Sequence, residues 1–329
     1  MPEPHVLIRL SSFGDVLLTT GVIDYWNKTG RIQFYIVTKD SFACIFENHP
    51  GVKSIIPVTQ KNLNGLSWWK FCHYLKQNYP SSPLIDLHVN LRTAMLRRIW
   101  SNETYSYSKM SLYRRLFAKT GLSPFKQKLL CRNVPQRYVK ALPGNIPSPA
   151  ELTPKIFLKN DEIQQAAQKL QSIDAIPECI AIHPYATHPA KTWNKDKWRK
   201  FIKFLENKGY DWLIIGQDKQ PLFPEKNKDL TNKTSIRETG AILSHCKALI
   251  TGDSGPMHLA SAVGTRVISL FGPTSKEWGF YPAGLNDCVL ETRLKCRPCS
   301  LHGKSKSSCH QECLNSISFD QITKALKTH

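Results

Sequence analysis

The sequence predicts an α/β protein made of two similar halves, each a doubly wound parallel sheet. Three observations carry that expectation. Short apolar runs alternate with helix-length segments along most of the chain, the pattern of successive βαβ units. One stretch, Pro143-Gly144-Asn145-Ile146-Pro147-Ser148-Pro149, breaks the alternation near the middle with turn-forming residues. At 329 residues, the chain is also longer than one hydrophobic core ordinarily serves.

Taken in order, His5-Val6-Leu7-Ile8-Arg9-Leu10 reads as a first strand. Ser11 to Asp15 turns it into a helical face of Val16, Leu17, Leu18, Val22, Ile23 and Trp26. Strands follow at 32–37, 55–58 and 84–87, with a helix around Trp68 to Asn78 before the last. From 92 to 137 the periodicity dissolves into eleven basic residues against one acid, Glu103, with Tyr105, Tyr107, Tyr113 and Phe117 interleaved. Beyond the proline-rich stretch the pattern is cleaner. Helices are expected at 161–173, 196–208 (stopped by Gly209), 236–246, from Pro256, and at 318–327. Strands are expected at 180–183, 212–215, 248–250 and 267–271. The expected domains are therefore 1–150 and 151–315, with a C-terminal helix in 316–329 free to pack back on the first half and 143–149 as a hinge.

Charge speaks about partners rather than fold. The 45 Lys+Arg against 25 Asp+Glu leave +20, which points to anionic ligands: nucleic acid, anionic lipid or phosphorylated glycan. Met1-Pro2-Glu3-Pro4 has neither a basic n-region nor an apolar h-region, and no apolar run approaches the ~20 residues that span a bilayer. A cytoplasmic protein is the expectation. Its ten cysteines then read as reduced thiols or metal ligands.

The richest stretch for chemistry is Thr251-Gly252-Asp253-Ser254-Gly255-Pro256-Met257-His258. An apolar strand, Ala248-Leu249-Ile250, breaks at two glycines and restarts as a helix at Pro256, whose missing N–H is no loss in a first turn. A strand, a glycine turn and an open helix N-terminus make an anion site. Asp253 within it repels phosphate but accepts from hydroxyls, so the turn suits an anion joined to a polyol. Asp15 sits at the first strand's carboxyl end, either as general base or as a cap on the helix behind it. Lys191, in a loop at another strand end, can neutralise a phosphate as a point charge. Asp218 follows the next strand, where acids often meet ribose hydroxyls. There is no Walker A lysine, no G-x-G-x-x-G after a strand, no H-E-x-x-H and no G-x-S-x-G, which removes the ordinary kinase, dehydrogenase, zincin and hydrolase readings.

Four segments in order resemble one family. Arg9-Leu10-Ser11-Ser12-Phe13-Gly14-Asp15-Val16-Leu17-Leu18-Thr19-Thr20 is similar to the opening signature of the family 9 glycosyltransferases, the lipopolysaccharide heptosyltransferases. Lys191 with Trp193 resembles their Lys-x-Trp element, Gly252 to Ala260 their second signature, and Leu270-Phe271-Gly272-Pro273-Thr274 their third. The resemblance runs from residue 5 to about 315 and is weakest over 92–145. It implies a GT-B fold, two Rossmann-like domains facing across a deep cleft, the first binding acceptor and the second the nucleotide sugar. It also implies inverting transfer of heptose from ADP-heptose, without a metal or other cofactor, to a lipopolysaccharide inner-core acceptor of the lipid A–Kdo type.

By the same resemblance, Asp15 matches the base, Thr187 and Lys191 lie near the diphosphate, Asp218 meets ribose, and Asp253 meets the donor sugar. Ser254, Gly255, Met257 and His258 form the turn and helix start beneath the diphosphate. Ser12 with Arg92, Arg97, Arg98, Arg114 and Arg115 is the expected acceptor side. Partners implied are the nucleotide sugar, the anionic acceptor and the inner-membrane surface, where the enzyme would sit peripherally, and no nucleic acid. Gly21 stands where relatives commonly carry Pro, with a small weakening of the first helix expected. Cys296-Arg297-Pro298-Cys299 with Cys309 and Cys313 has the spacing of a structural zinc site, with disulfides formed in air or reduced thiols as the alternatives, and a fully ligated site has no catalytic role. Two competing readings remain: another nucleotide sugar on this fold (a UDP-sugar transferase or an epimerase), or a non-catalytic binder of nucleic acid or anionic surfaces. The charge supports the second; Asp15, Lys191, Asp253 and His258 speak against it.

Overall fold

The computed structural model describes residues 3–299 and 311–328. In chain order its elements are β1 His5–Ile8, α1 Phe13–Gly30, β2 Phe34–Lys39, β3 Val52–Val58, α2 Gly65–Asn78, β4 Leu84–Asp86, α3 Leu91–Ile99 and β5 Thr104–Ser106. Three helices follow: α4 Ser111–Thr120, α5 Ser123–Leu130 and α6 Val134–Val139. The later part comprises α7 Asn160–Ser172, β6 Ile180–His183, α8 Lys195–Asn207, β7 Trp212–Ile214, α9 Ile236–Leu243, β8 Ala248–Gly252, α10 Gly255–Ala262, β9 Arg266–Phe271, β10 Cys288–Glu291, α11 Glu312–Asn315 and α12 Phe319–Lys327. Among the described residues, no helix is long and apolar enough to cross a membrane.

Two compact units result. The first holds the residues up to 109 together with 134–157; the second holds 110–133 and the residues from 158 onward. In the first unit the strand order is β3-β2-β1-β4-β5, all parallel, with Val6 opposite Tyr35 on one side and Leu84 on the other. β1 is central because it is apolar on both faces, as a strand covered on both sides must be. Val6, Ile8, Trp68, Phe71, Leu75 and Leu96 share the core beneath α2 and α3. The order reverses between β1 and β4, and the carboxyl end of such a switch point is where open α/β sheets bind ligands.

Gly21, in α1, has a different role from the one expected. A Cβ there would lie 2.4 Å from the carbonyl oxygens of Leu152 and Thr153. The segment after the proline-rich stretch thus packs directly on the helix backbone, where only hydrogen fits. Lys155 N donates to Thr20 Oγ1 at 2.8 Å and Lys155 Nζ to Asp24 at 2.5 Å, fixing the same segment.

The second sheet runs β10-β9-β8-β6-β7, also parallel, with its switch point between β6 and β8. α8 shows why this half was the easier to read. Trp198, Phe201, Ile202 and Leu205 recur at i, i+3, i+4 and i+7 and are all buried, each contributing about 1.5–3 kcal/mol. Asn194 caps the helix by accepting from Lys197 N at 2.8 Å.

Three organisational expectations change. The helical hairpin α4–α5 precedes the proline-rich stretch yet belongs to the second unit. Pro143–Pro149 lies within the first unit, tied by Gln136 Nε2 donating to Pro147 O at 2.9 Å, and the last passage to the second unit comes at 157/158 rather than at the expected hinge. The C-terminal helix α12 buries Ile322, Ala325 and Leu326 in the core of the second unit, not against the first.

Candidate active site

In the first unit the chemistry gathers at the carboxyl end of β1. Arg9 continues the strand, its N–H donating to Val37 O at 3.0 Å, and its side chain is buried. Ser12 then caps α1, which places Asp15 in the helix's first turn. Asp15 does more than cap. Oδ1 accepts from Arg9 Nη2 at 2.8 Å and from the Tyr138 hydroxyl at 2.8 Å. Oδ2 accepts from Ser12 N at 3.3 Å and from Ser12 Oγ at 2.8 Å. Four donors therefore occupy the carboxylate. Burial alone would raise its pKa, but the Arg9 charge and the Tyr138 and Ser12 donors outweigh it and hold the group below its usual range.

The neighbours of Arg9 and Asp15 support this arrangement. Arg9 also donates to Leu87 O and lies 5.3 Å from the Tyr138 ring centre, while Tyr107 packs edge-on against Tyr138 at 4.8 Å. Tyr138 is fully buried; desolvation in the first place keeps its hydroxyl protonated, well above the ordinary pKa. His88, at the end of β4, is pushed down to about 4, first by burial and then by the charges of Arg9 and Lys109, so it stands neutral beside Asp15.

In the second unit the loops after β6 and β8, the two strands at the switch point, converge. Lys191 Nζ pairs with Asp253 Oδ2 at 2.6 Å, and Thr274 Oγ1 donates to the same oxygen at 2.8 Å. Gly252 makes the approach feasible, since a Cβ there would lie 2.5 Å from Lys191 O. α10 starts at once after this turn, with proline in its first turn and no side-chain hydrogen bond from its cap residue Ser254. Pro256 has no N–H and Met257 N donates to Ser254 O at 3.3 Å, so the amide that this helix start offers an anion is that of Gly255. Ser254 Oγ instead lies 3.0 Å from Thr251 Oγ1 and 3.2 Å from His183 Nδ1, behind the turn. Burial pushes His183 down to about 4, so this network holds a neutral imidazole.

The remaining expected residues fall in distinct places. Gly255 opens α10, and Met257 and His258 are both buried, so they support the turn from within. Thr187 is exposed in the loop before Lys191. Asp218, after β7, accepts from Gln220 N at 2.9 Å and lies 3.5 Å from Lys195 Nζ. The arginines expected on the acceptor side are divided. Arg92, Arg97 and Arg98 lie on α3 of the first unit, Arg114 and Arg115 on α4 of the second. Arg92 and Arg98 are exposed, while Arg97 bonds Ser106 Oγ at 3.1 Å and sits 3.2 Å from Asp86, near as a charge but off-line as a hydrogen bond. Arg114 is engaged with Trp278 O at 3.1 Å.

Of the four cysteines, Cys313 is buried in the core, Cys296 is exposed, and Cys309 lies outside the described residues. Among the described residues no three potential ligands gather around a metal position. Reading from sequence missed Arg9 as a partner, together with Tyr138, His183 and Thr274. Thr274 had a signal, the turn after β9; Tyr138, 123 positions from Asp15, had none.

Two parallel sheets, each with a polar cluster at its switch point, define a pair of Rossmann-like units of the kind that bind ligands at those points. Comparison with known proteins gives the family. The model of glycosyltransferase family 9 (heptosyltransferase) matches residues 68–310, and the chain belongs to that family of glycosyltransferases. Lipopolysaccharide heptosyltransferase 1 of Campylobacter coli is 23% identical over 98% of this chain and 97% of its own. Lipooligosaccharide heptosyltransferase 2 of Haemophilus influenzae is 31% identical over 118 residues, about a third of either protein. The fold is shared with the family 9 glycosyl transferase of Veillonella parvula, at a TM-score of 0.75 and 19% identity over 98% of this chain and 95% of that one. It is shared too with E. coli ADP-heptose heptosyltransferase II, at 0.71 and 15% over 98% and 97%.

Proposed function

We propose that this enzyme transfers heptose from ADP-heptose to an anionic lipopolysaccharide inner-core acceptor, with inversion and without a catalytic metal, at the cytoplasmic face of the inner membrane. The observation that carries the donor half is the Lys191–Asp253 pair beside the uncapped start of α10. A diphosphate settling at the start of α10 offers Lys191 more negative charge than Asp253 does. Lys191 then turns to the phosphate, and Asp253 is released to accept from hydroxyls of the sugar. As the C1–oxygen bond breaks, charge grows on the diphosphate, where the fixed start of α10 and Lys191 stabilise it without reorganising. The E. coli heptosyltransferase II named for ADP-heptose and the E. coli heptosyltransferase WaaC solved with ADP support the choice of nucleotide.

Asp15 takes the other half. The acceptor oxygen attacks C1, and its proton passes to Asp15 Oδ2 once the acceptor hydroxyl has displaced Ser12 Oγ from that oxygen. Attack opposite the leaving diphosphate inverts the configuration. Arg92 and Arg98, exposed on α3, provide cationic charge for an anionic acceptor on this unit, and Arg97, expected with them, is paired with Asp86 instead. The Cys296, Cys299, Cys309 and Cys313 set enters only as a structural zinc: about one zinc per chain in metal analysis would support it, and a metal-free folded chain removes it.

The test is a thermal-shift panel of nucleotide sugars. ADP-heptose and ADP should raise the melting temperature more than UDP-sugars do, because only ligands that bind the folded state stabilise it. An equal or reversed response overturns the donor assignment and favours the UDP-sugar reading of the same fold.

A further inference from the structure

Between β5 and the proline-rich stretch the chain is cationic without relief: residues 104–150 contain no Asp or Glu. Part of this run, 110–133, forms the α4–α5 hairpin and holds six of its basic residues. The hairpin's inner face is already occupied. Phe117 and Leu129 pack on Trp278, with Met110, Phe125 and Phe280 around them. Lys126 adds an ion pair to Glu277 at 3.3 Å. What this packing leaves outward is unusual for a soluble surface.

Leu112 is 66% exposed, Leu122 53% and Leu130 41%, within two short helices and the turn between them. Scattered exposed leucines are ordinary; three on one small hairpin among cations are not. On α4, Leu112, Arg115 and Lys119 follow one another at i, i+3 and i+7, a single stripe turned away from Phe117, and Lys128 is exposed on α5. Cations interleaved with large apolar side chains suit the boundary between headgroups and acyl chains. The leucines enter the boundary while Lys and Arg remain at headgroup level.

We propose that the α4–α5 hairpin is the surface by which this protein docks on an anionic lipid bilayer. The occupant follows from charge complementarity and from the leucines together. Anionic headgroups answer the cations, and only an apolar layer gives the leucines a partner, which a polynucleotide or a soluble glycan does not. Each cation near an anionic leaflet raises affinity about fivefold. The inference rests on the hairpin alone and holds whichever nucleotide sugar the enzyme uses.

The full-length protein tests it by sedimentation with vesicles of phosphatidylcholine alone or mixed with phosphatidylglycerol. Two variants are compared with the parent: Leu112→Ser with Leu122→Ser, and Lys119→Glu with Lys128→Glu. All four side chains are exposed, so melting temperature and ADP affinity serve as controls for folding and for the donor site. The parent should bind the mixed vesicles and not pure phosphatidylcholine. The lysine pair should weaken binding by at least about 25-fold, and the leucine pair by about tenfold or more. A parent that ignores mixed vesicles overturns the proposal, as do variants that bind like the parent. Loss in the lysine variant alone, with the leucine variant unchanged or with parallel loss of duplex DNA binding, also overturns it. That pattern would mark a purely electrostatic anion site.

Discussion

Two aspartates stand at the switch points of two similar sheets, and they are held in opposite ways. Asp15 is saturated: Arg9, Tyr138 and two groups of Ser12 occupy both its oxygens. Asp253 is held through Oδ2 only, by Lys191 and Thr274, and among the described residues its Oδ1 has no hydrogen-bond partner. The contrast fits different tasks. An aspartate that receives sugar hydroxyls needs a free lone pair from the start. One that accepts a proton must be ionised and aimed, and Arg9 ensures both at the cost of basicity. A carboxylate with a depressed pKa is a modest base, so the larger part of its effect must come from position.

Removing the carboxylate charge gives the largest expected effect and separates the two roles. Asp15→Asn should lower kcat by about 10²–10⁴-fold while leaving ADP affinity unchanged, read by steady-state kinetics and calorimetry. Stability should also fall, since breaking a buried ion pair on one side costs about 3–5 kcal/mol. Turnover equal to the parent's would reduce Asp15 to a helix cap. The counterpart, Lys191→Met, should weaken ADP binding by about tenfold to a hundredfold, the worth of one charged hydrogen bond. Its kcat should change less than that of Asp15→Asn. A Lys191 variant that binds ADP like the parent would leave the start of α10 as the whole anion site.

How far the chain revealed this in advance depended on distance along it. The donor turn was legible because Asp253, the glycines and Pro256 are consecutive and each forces local geometry. The central strands were legible as unbroken apolar runs. The two strands not anticipated, β5 and β10, are the outer strands of their sheets and are only partly buried. Thr104-Tyr105-Ser106 carries no apolar signal because an outer strand needs little of one. The place of α4–α5 in the second unit depends on Phe117 and Leu129 meeting Trp278, more than 140 residues away, which no local periodicity records. Tyr138 was hidden for the same reason.

Acid should affect both units alike, which sharpens the contrast by showing what is not specific to either aspartate. His88 and His183 both titrate near 4 in the folded chain against an ordinary 6.5. Unfolded chain therefore binds more protons than folded chain between those values, and stability falls as pH drops from about 6.5 to 4. For buried His183 the loss is of the order of 2–3 kcal/mol. Asp15, with its lowered pKa, adds acid sensitivity only below this window, where unfolded carboxylates take up protons. Denaturant melts across pH should show the slope, and His183→Gln should flatten part of it; a slope unchanged in that variant would contradict a neutral buried imidazole.

The smallest expected effect is the most specific. Tyr138→Phe removes one oxygen from a fully buried ring and leaves its packing on Arg9 and Tyr107 in place. It deletes a hydrogen bond that favours the ionised form of Asp15, so the carboxyl pKa should rise, by up to about one unit. Because the base works only when ionised, the acidic limb of the kcat/KM profile should shift upward by the same amount. ADP affinity should stay level, since Tyr138 belongs to the first unit and the Lys191–Asp253 pair to the second. Above the limb the slightly stronger base should hold or raise the rate, which a merely loosened structure would not do. An acidic limb that stays in place while activity falls at every pH would mean that Tyr138 supports the local fold rather than the protonation of Asp15.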